Sequence, residues 1–123
     1  MHLQGITFVG TRTAARTAMV VFVRDVLGLV PARIDGMDAD VFALPDGSSF
    51  AVTSQDEAAG GGRTVGFLVD DVERATTELR AAGIATDDEI SSSARQRYIH
   101  FRAPDGQLYE LVEALAVPVT DAR

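Results

Sequence analysis

Apolar residues along this chain follow two spacings, every second position and every third or fourth, and the order of these stretches occurs twice. Leu3–Val9 is rich in β-branched and aromatic residues and stops at Gly10, which predicts a strand. Thr13–Leu27 then carries Ala15, Ala18, Met19, Phe22 and Val26 at helical spacing, with Gly28 as a stop and Pro31 against continuation. In the second half Thr64–Val69 predicts a strand. The run Asp70-Asp71-Val72-Glu73 offers an aspartate cap with a glutamate three residues later. The next helix presents Val72, Ala75, Leu79 and Ala82 on one face, and Gly83 ends it. Three strands are predicted after each helix: Leu29–Ile34, Asp40–Leu44 and Ser48–Thr53, then Thr86–Ile90, Arg97–Arg102 and Gln107–Glu113.

The two halves share landmarks. Pro45-Asp46-Gly47 and Pro104-Asp105-Gly106 each precede a strand, and proline followed by glycine suits a tight hairpin turn. The strand ends at Val9 and Val69 and the stops at Gly28 and Gly83 fall at similar offsets. The expectation is an α+β chain of two βαβββ modules, 1–54 and 64–116. A linker over 55–63 contains Gly60-Gly61-Gly62, and a loose tail covers 117–123.

Composition narrows the function classes. Hydrophobic residues make up 46% of 123, enough for a packed core without a metal or disulfide staple. Cysteine is absent, which removes thiolate metal sites and a cysteine nucleophile. The formal charge is −7 and all 11 Lys+Arg residues are arginine, so no basic face is expected to hold nucleic acid. No apolar run approaches the ~20 residues of a membrane span, and Met1-His2-Leu3-Gln4 has no signal-peptide pattern. A cytoplasmic location without membrane or nucleic-acid partners is expected.

The segment Phe22-Val23-Arg24-Asp25-Val26-Leu27-Gly28-Leu29, together with Pro104-Asp105-Gly106 leading into Glu110-Leu111, resembles the vicinal oxygen chelate superfamily. That superfamily includes glyoxalase I, bleomycin-resistance and fosfomycin-resistance proteins and extradiol dioxygenases. The resemblance implies paired modules forming cup-shaped mixed sheets with helices outside, and commonly a homodimer. It also implies metal ligands, in the members that have them, on the first and last strands of each module.

Strand alternation says which side chains would face such a cup. Ile99 and Phe101 share one face, as do Tyr109 and Leu111, and these suit packing under a helix. Tyr98, His100, Arg102, Leu108 and Glu110 then face inward, with Gln4, Ile6 and Phe8 from the first strand. Ala51, between Ser49 and Thr53, and Thr64 with Leu68 complete the expected lining: a polar corner of Gln4, His100 and Glu110 beside apolar walls.

Carried over residue by residue, the family's four metal positions fall on Gln4, Ala51, Thr64 and Glu110. Alanine cannot ligate and a threonine hydroxyl is a poor donor, so no metal is the favoured expectation. The alternative is a divalent ion on Gln4, His100 and Glu110. Each residue also has a plainer reading. His100 is then a histidine hydrogen-bonded to Tyr98 or a carboxylate, Glu110 a carboxylate buried near Arg102 or Gln4, and Gln4 a polar edge residue. The acidic run Asp87-Asp88-Glu89 reads as a solvated turn and His2 as a silent terminal residue; Arg12 and Arg16, near the start of the first helix, are within reach of a ligand, though such residues are more often solvent-facing. The leading expectation is a metal-independent binder of a small, partly apolar compound, with sequestration of a toxic or antibiotic compound as one version. A glyoxalase-type lyase or isomerase using Glu110 as base and His100 as acid is the alternative.

Overall fold

The computed structural model describes residues 1–32, 38–55 and 61–115. The chain forms two compact units, one of Ile6–Val65 and one of Met1–Gly5 with Gly66 onward.

In the first unit β1 (Gly5–Thr13) leads into α1 (Arg16–Val21), which continues as a wide π-helical turn over Phe22–Val26. β2 (Val30–Ala32), β3 (Asp40–Ala43) and β4 (Ser49–Ser54) come next. β2 and β4 flank β3 antiparallel, and β4 runs parallel to β1 with Gly10 opposite Ala51 and Arg12 opposite Thr53. Phe42 and Val52 meet Val23 in a buried cluster, with Met19, Val20, Leu29 and Phe50 packed around it. The stripe turned to the core is thus half-buried Met19 and Val20 of α1 with buried Val23 of the π-helical turn. Of the positions expected there, Phe22 and Val26 are exposed, as are Ala15 and Ala18. Residues 18–23 are six consecutive apolar residues, so spacing alone does not select a face, and the π turn rotates the residues after it. Gly10 does not end β1 either. It is buried in mid-strand, where a Cβ would meet the Phe8 ring at 3.0 Å.

β5 (Gly62–Leu68) begins in the first unit and ends in the second, so Gly62 and Arg63 of the expected linker are strand. In the second unit α2 (Val72–Ala81) is capped by Asp71, whose carboxylate accepts from Arg74 N at 3.0 Å. The strand expected over Thr86–Ile90 is two short pieces, β6 (Ala85–Thr86) and β7 (Ser91–Ser92). β8 (Gln96–Arg102) pairs with both of them, and with β9 (Leu108–Ala114) it forms an antiparallel hairpin. Between Thr86↔Phe101 and Ser91↔Tyr98, four residues stand opposite two, so the strand must bulge. The core is Val69, Val72, Ala75, Ile99 and Leu111, with Phe67, Leu79, Ile90 and Phe101 against it. Ile99, Phe101 and Leu111 thus share the side of the hairpin that packs with α2.

The two Pro-Asp-Gly turns are built alike. Gly47 N donates to Leu44 O at 3.1 Å and Gly106 N to Ala103 O at 2.8 Å, with φ of +87° and +81° at the glycines. In each, the aspartate carboxylate accepts from the backbone N–H two residues on, Ser48 or Gln107. The expected tail over 117–123 and much of the expected linker lie outside the described residues. Among the described residues no helix is long and apolar enough to cross a membrane.

Candidate functional site

The chemistry of the second unit gathers on His100. His100 and Glu110 are directly opposite in the β8–β9 hairpin. His100 N donates to Asp87 Oδ2 at 2.9 Å, and His100 O accepts from Asp87 N at 3.0 Å. Both backbone groups of His100 therefore point toward Asp87, away from β9. His100 and Glu110 form the closer, non-hydrogen-bonded kind of antiparallel pair, in which side chains approach most. His100 Nε2 accordingly lies 3.0 Å from Glu110 Oε2, and Nδ1 lies 2.9 Å from Asp87 Oδ2.

The environment is graded. The Glu110 side chain is 8% exposed, His100 32% and Asp87 41%, so the imidazole bridges a buried carboxylate and a wetter one. The hydrogen bond to Glu110 raises the His100 pKa above its ordinary value. Burial opposes that rise, and Asp87 reinforces it. A protonated ring donates from both nitrogens, one to each carboxylate. Tyr98 meets the His100 ring edge-on, with centroids 5.8 Å apart.

Asp87 is held from behind. Arg80 of α2 donates to the carbonyls of Asp87 and Asp88 at 3.0 and 3.1 Å and to Thr86 Oγ1 at 3.0 Å, pinning the bulge between β6 and β7. Its sequence neighbourhood gave Asp87 the appearance of a solvated turn, and the bulge corrects that reading. The available signal was antiparallel pairing of 85–86 with 101–102, which brings the next residue beside His100.

Other expected lining residues are dispersed. Gln4 is exposed, and its backbone N–H donates to Leu68 O at 2.8 Å. Tyr98, Leu68 and Leu108 are half-buried in the same unit. Arg102 is exposed and spends a donor on Gly106 O at 2.8 Å within its own hairpin, not on Glu110. Ile6, Phe8, Ala51 and Thr64 belong to the first unit. Ile6 is 61% exposed, while Ala51 and Thr64 are buried. Arg16, read as solvent-facing, is instead held by Asp40 and Asp38 at 2.9 and 3.2 Å. A groove of about 280 Å³ at the start of α2 is bordered by His2, Val69, Asp70, Asp71, Arg74 and Glu78. No expected lining residue borders it. Its walls are open and mostly charged, with Met1, Val69 and Ala75 as their apolar part, whereas small-molecule clefts are mostly apolar, so the His100 cluster is the better candidate.

The residues at the metal positions do not suit an ion as they are arranged. Ala51 has no donor, Thr64 Oγ1 already accepts from the Arg12 guanidinium, and both His100 nitrogens face carboxylates. Among the described residues no three His, Cys, Asp or Glu side chains are grouped to hold a metal.

No family model and no curated protein sequence matches the chain. Solved structures do match. Methylmalonyl-CoA epimerase from Mycobacterium tuberculosis aligns at a TM-score of 0.71 and 21% identity, covering 98% of this chain and 93% of that one. A variant of methylmalonyl-CoA epimerase from Streptomyces coelicolor, in complex with 2-nitronate-propionyl-CoA, aligns at 0.67 and 20%, covering 94% and 100%. A glyoxalase/bleomycin resistance protein/dioxygenase superfamily member from Vibrio splendidus 12B01 aligns at 0.62 and 20%, covering 93% and 100%. These likenesses are of fold: the chain shares the fold of the methylmalonyl-CoA epimerases and of the glyoxalase/bleomycin resistance protein/dioxygenase superfamily member.

Proposed function

We propose that the chain binds a small, partly apolar compound without a metal, on the sheet face that carries Tyr98, His100, Leu108 and Glu110. The observation that carries this reading is the imidazole held between two carboxylates at 2.9 and 3.0 Å, partly exposed beside an aromatic ring. Both ring nitrogens are engaged, so the exposed ring face is the part a ligand meets. An imidazolium face with Tyr98 and Leu108 beside it suits an aromatic or conjugated compound. Sequestration of a toxic or antibiotic compound is one form of this function. The test is a thermal-shift and NMR screen of aromatic fragments that follows the His100 ring resonances. Binders should shift those resonances and lose affinity in Tyr98→Ala, whereas a screen in which no compound moves them refutes the reading.

A second reading, acid/base isomerase or lyase chemistry of the glyoxalase type, is favoured by the same 3.0 Å Glu110–His100 contact and by epimerases among the structural neighbours. Glu110 would take a proton from carbon, and His100, oriented by Asp87, would supply one to the developing oxyanion. Solvent-deuterium incorporation into hemithioacetal or acyl-thioester substrates, abolished in Glu110→Gln, supports it. Elemental analysis of the protein as isolated checks the metal-free premise of both readings. A stoichiometric divalent ion would overturn that premise.

The chain is proposed to form a homodimer, as members of the superfamily it resembles commonly do. Exposed Phe22, Val26, Leu27 and Val30 supply apolar surface for such an interface.

A further inference from the structure

In the first unit, Phe8, Gly10 and Arg12 of β1 lie beside Ser49, Ala51 and Thr53 of β4. Phe42 and Val52 belong to the cluster around Val23, so by strand alternation these residues occupy the sheet face away from α1. Arg12 Nη1 donates to the buried Thr64 Oγ1 at 2.5 Å. Its Nε is buried and has no hydrogen-bond partner. Among the described residues no acceptor meets Nη2 and no carboxylate forms an ion pair with Arg12. Arg16, four residues on, shows the contrast, for it has Asp40, Asp38 and Ser54.

A guanidinium tied to a hydroxyl at Nη1, with Nε buried and unpaired, keeps two parallel N–H donors on its Nε–Nη2 edge unmatched, the fork that fits a planar oxyanion. A partly buried cation with an orphaned donor is costly to fold, and the chain's 18 acidic residues supply it no partner among those described. The Phe8 ring lies over Gly10, where any larger residue would displace it, on the same face as the guanidinium. Arg12 and Phe8 thus offer an oxyanion fork and an aromatic surface on either side of Gly10.

We propose that Arg12 and Phe8 form a binding site for a small aromatic carboxylic acid, the carboxylate on the unpaired Nε–Nη2 edge of Arg12 and the ring against Phe8. The site stands on different residues from the His100 cluster and does not depend on that reading.

Benzoate is the probe, and the Arg12 Nε–H resonance of 15N-labelled protein, identified by its loss in Arg12→Gln, is the readout. Benzoate should move that resonance saturably, and benzamide, of the same shape without the charge, should not. Calorimetry should show benzoate affinity reduced by at least about tenfold in Arg12→Gln, with Arg12→Lys also weakened because the fork is gone. Arg12→Met should melt no lower than the wild type, since it replaces an unmatched cation with apolar volume. Saturable binding of inorganic phosphate, lost in the same variants, would support the oxyanion fork while assigning the ring surface no role. An Nε–H unmoved by benzoate, whether or not phosphate moves it, or Arg12→Gln binding benzoate as tightly as the wild type, overturns the proposal.

Discussion

Replacing His100 by alanine tests the cluster most directly, because the ring is the shared partner of two carboxylates. At the Glu110 end the contact is 3.0 Å to a side chain only 8% exposed. Removing the imidazole leaves that carboxylate buried without its partner, and losses of this kind run to about 3 kcal/mol. At the Asp87 end the partner is 41% exposed, so solvent replaces most of the interaction and about 0.5 kcal/mol is lost. The sum, about 3.5 kcal/mol, corresponds to a melting point lower by about 12 °C in a domain of this size. The loss should depend on pH. The His100 pKa is raised in the folded state, so its contribution is present in full below the unfolded value of about 6.5. It disappears as pH rises through the raised folded value. Urea unfolding of wild type and His100→Ala at about pH 6 and pH 9 measures both effects. A stability gap that is the same at the two pH values, or smaller than about 1 kcal/mol at the lower one, would refute the argument that the charged ring matters.

Ile99 is 0% exposed and central to the second unit's core, so Ile99→Ala should cost about 3–4 kcal/mol by denaturant unfolding. Asp71→Ala removes the cap on Arg74 N and should cost about 1 kcal/mol, with faster amide exchange in the first turn of α2. Gly106 has a φ of +81°, and no atom lies close to the position a Cβ would take there. Gly106→Ala should therefore lose about 1 kcal/mol through backbone strain alone, and Gly106→Asn less, as thermal melts would show.

Much of this arrangement is legible in the order of the residues. Alternation in 98–102 and 108–112 separates Ile99 and Leu111, which pack with α2, from His100 and Glu110, because a strand has only two faces. The hairpin turns are legible because proline and glycine at fixed offsets restrict the backbone. The face of α1 is not, since Val20, Val21, Phe22 and Val23 are all apolar and only packing against Phe42 and Val52 decides which is buried. Asp87 stays hidden because its role depends on a bulge, which is set by the register of β6 and β7 on β8 and not by local propensity. Arg12 is legible as a residue within reach of a ligand but is misplaced near the start of the first helix, because Gly10 looks like the end of a strand that in fact runs on to Thr13.

The split between β6 and β7 has a consequence for solubility. An uninterrupted outer strand would offer a neighbouring molecule a long row of unused N–H and C=O groups. Here the row is broken after Thr86, where Asp87 turns its amide and carboxylate onto His100 and Asp88 and Glu89 come next as exposed acids. The kink that brings a carboxylate to the histidine therefore also leaves the border too short and too negatively charged to template aggregation.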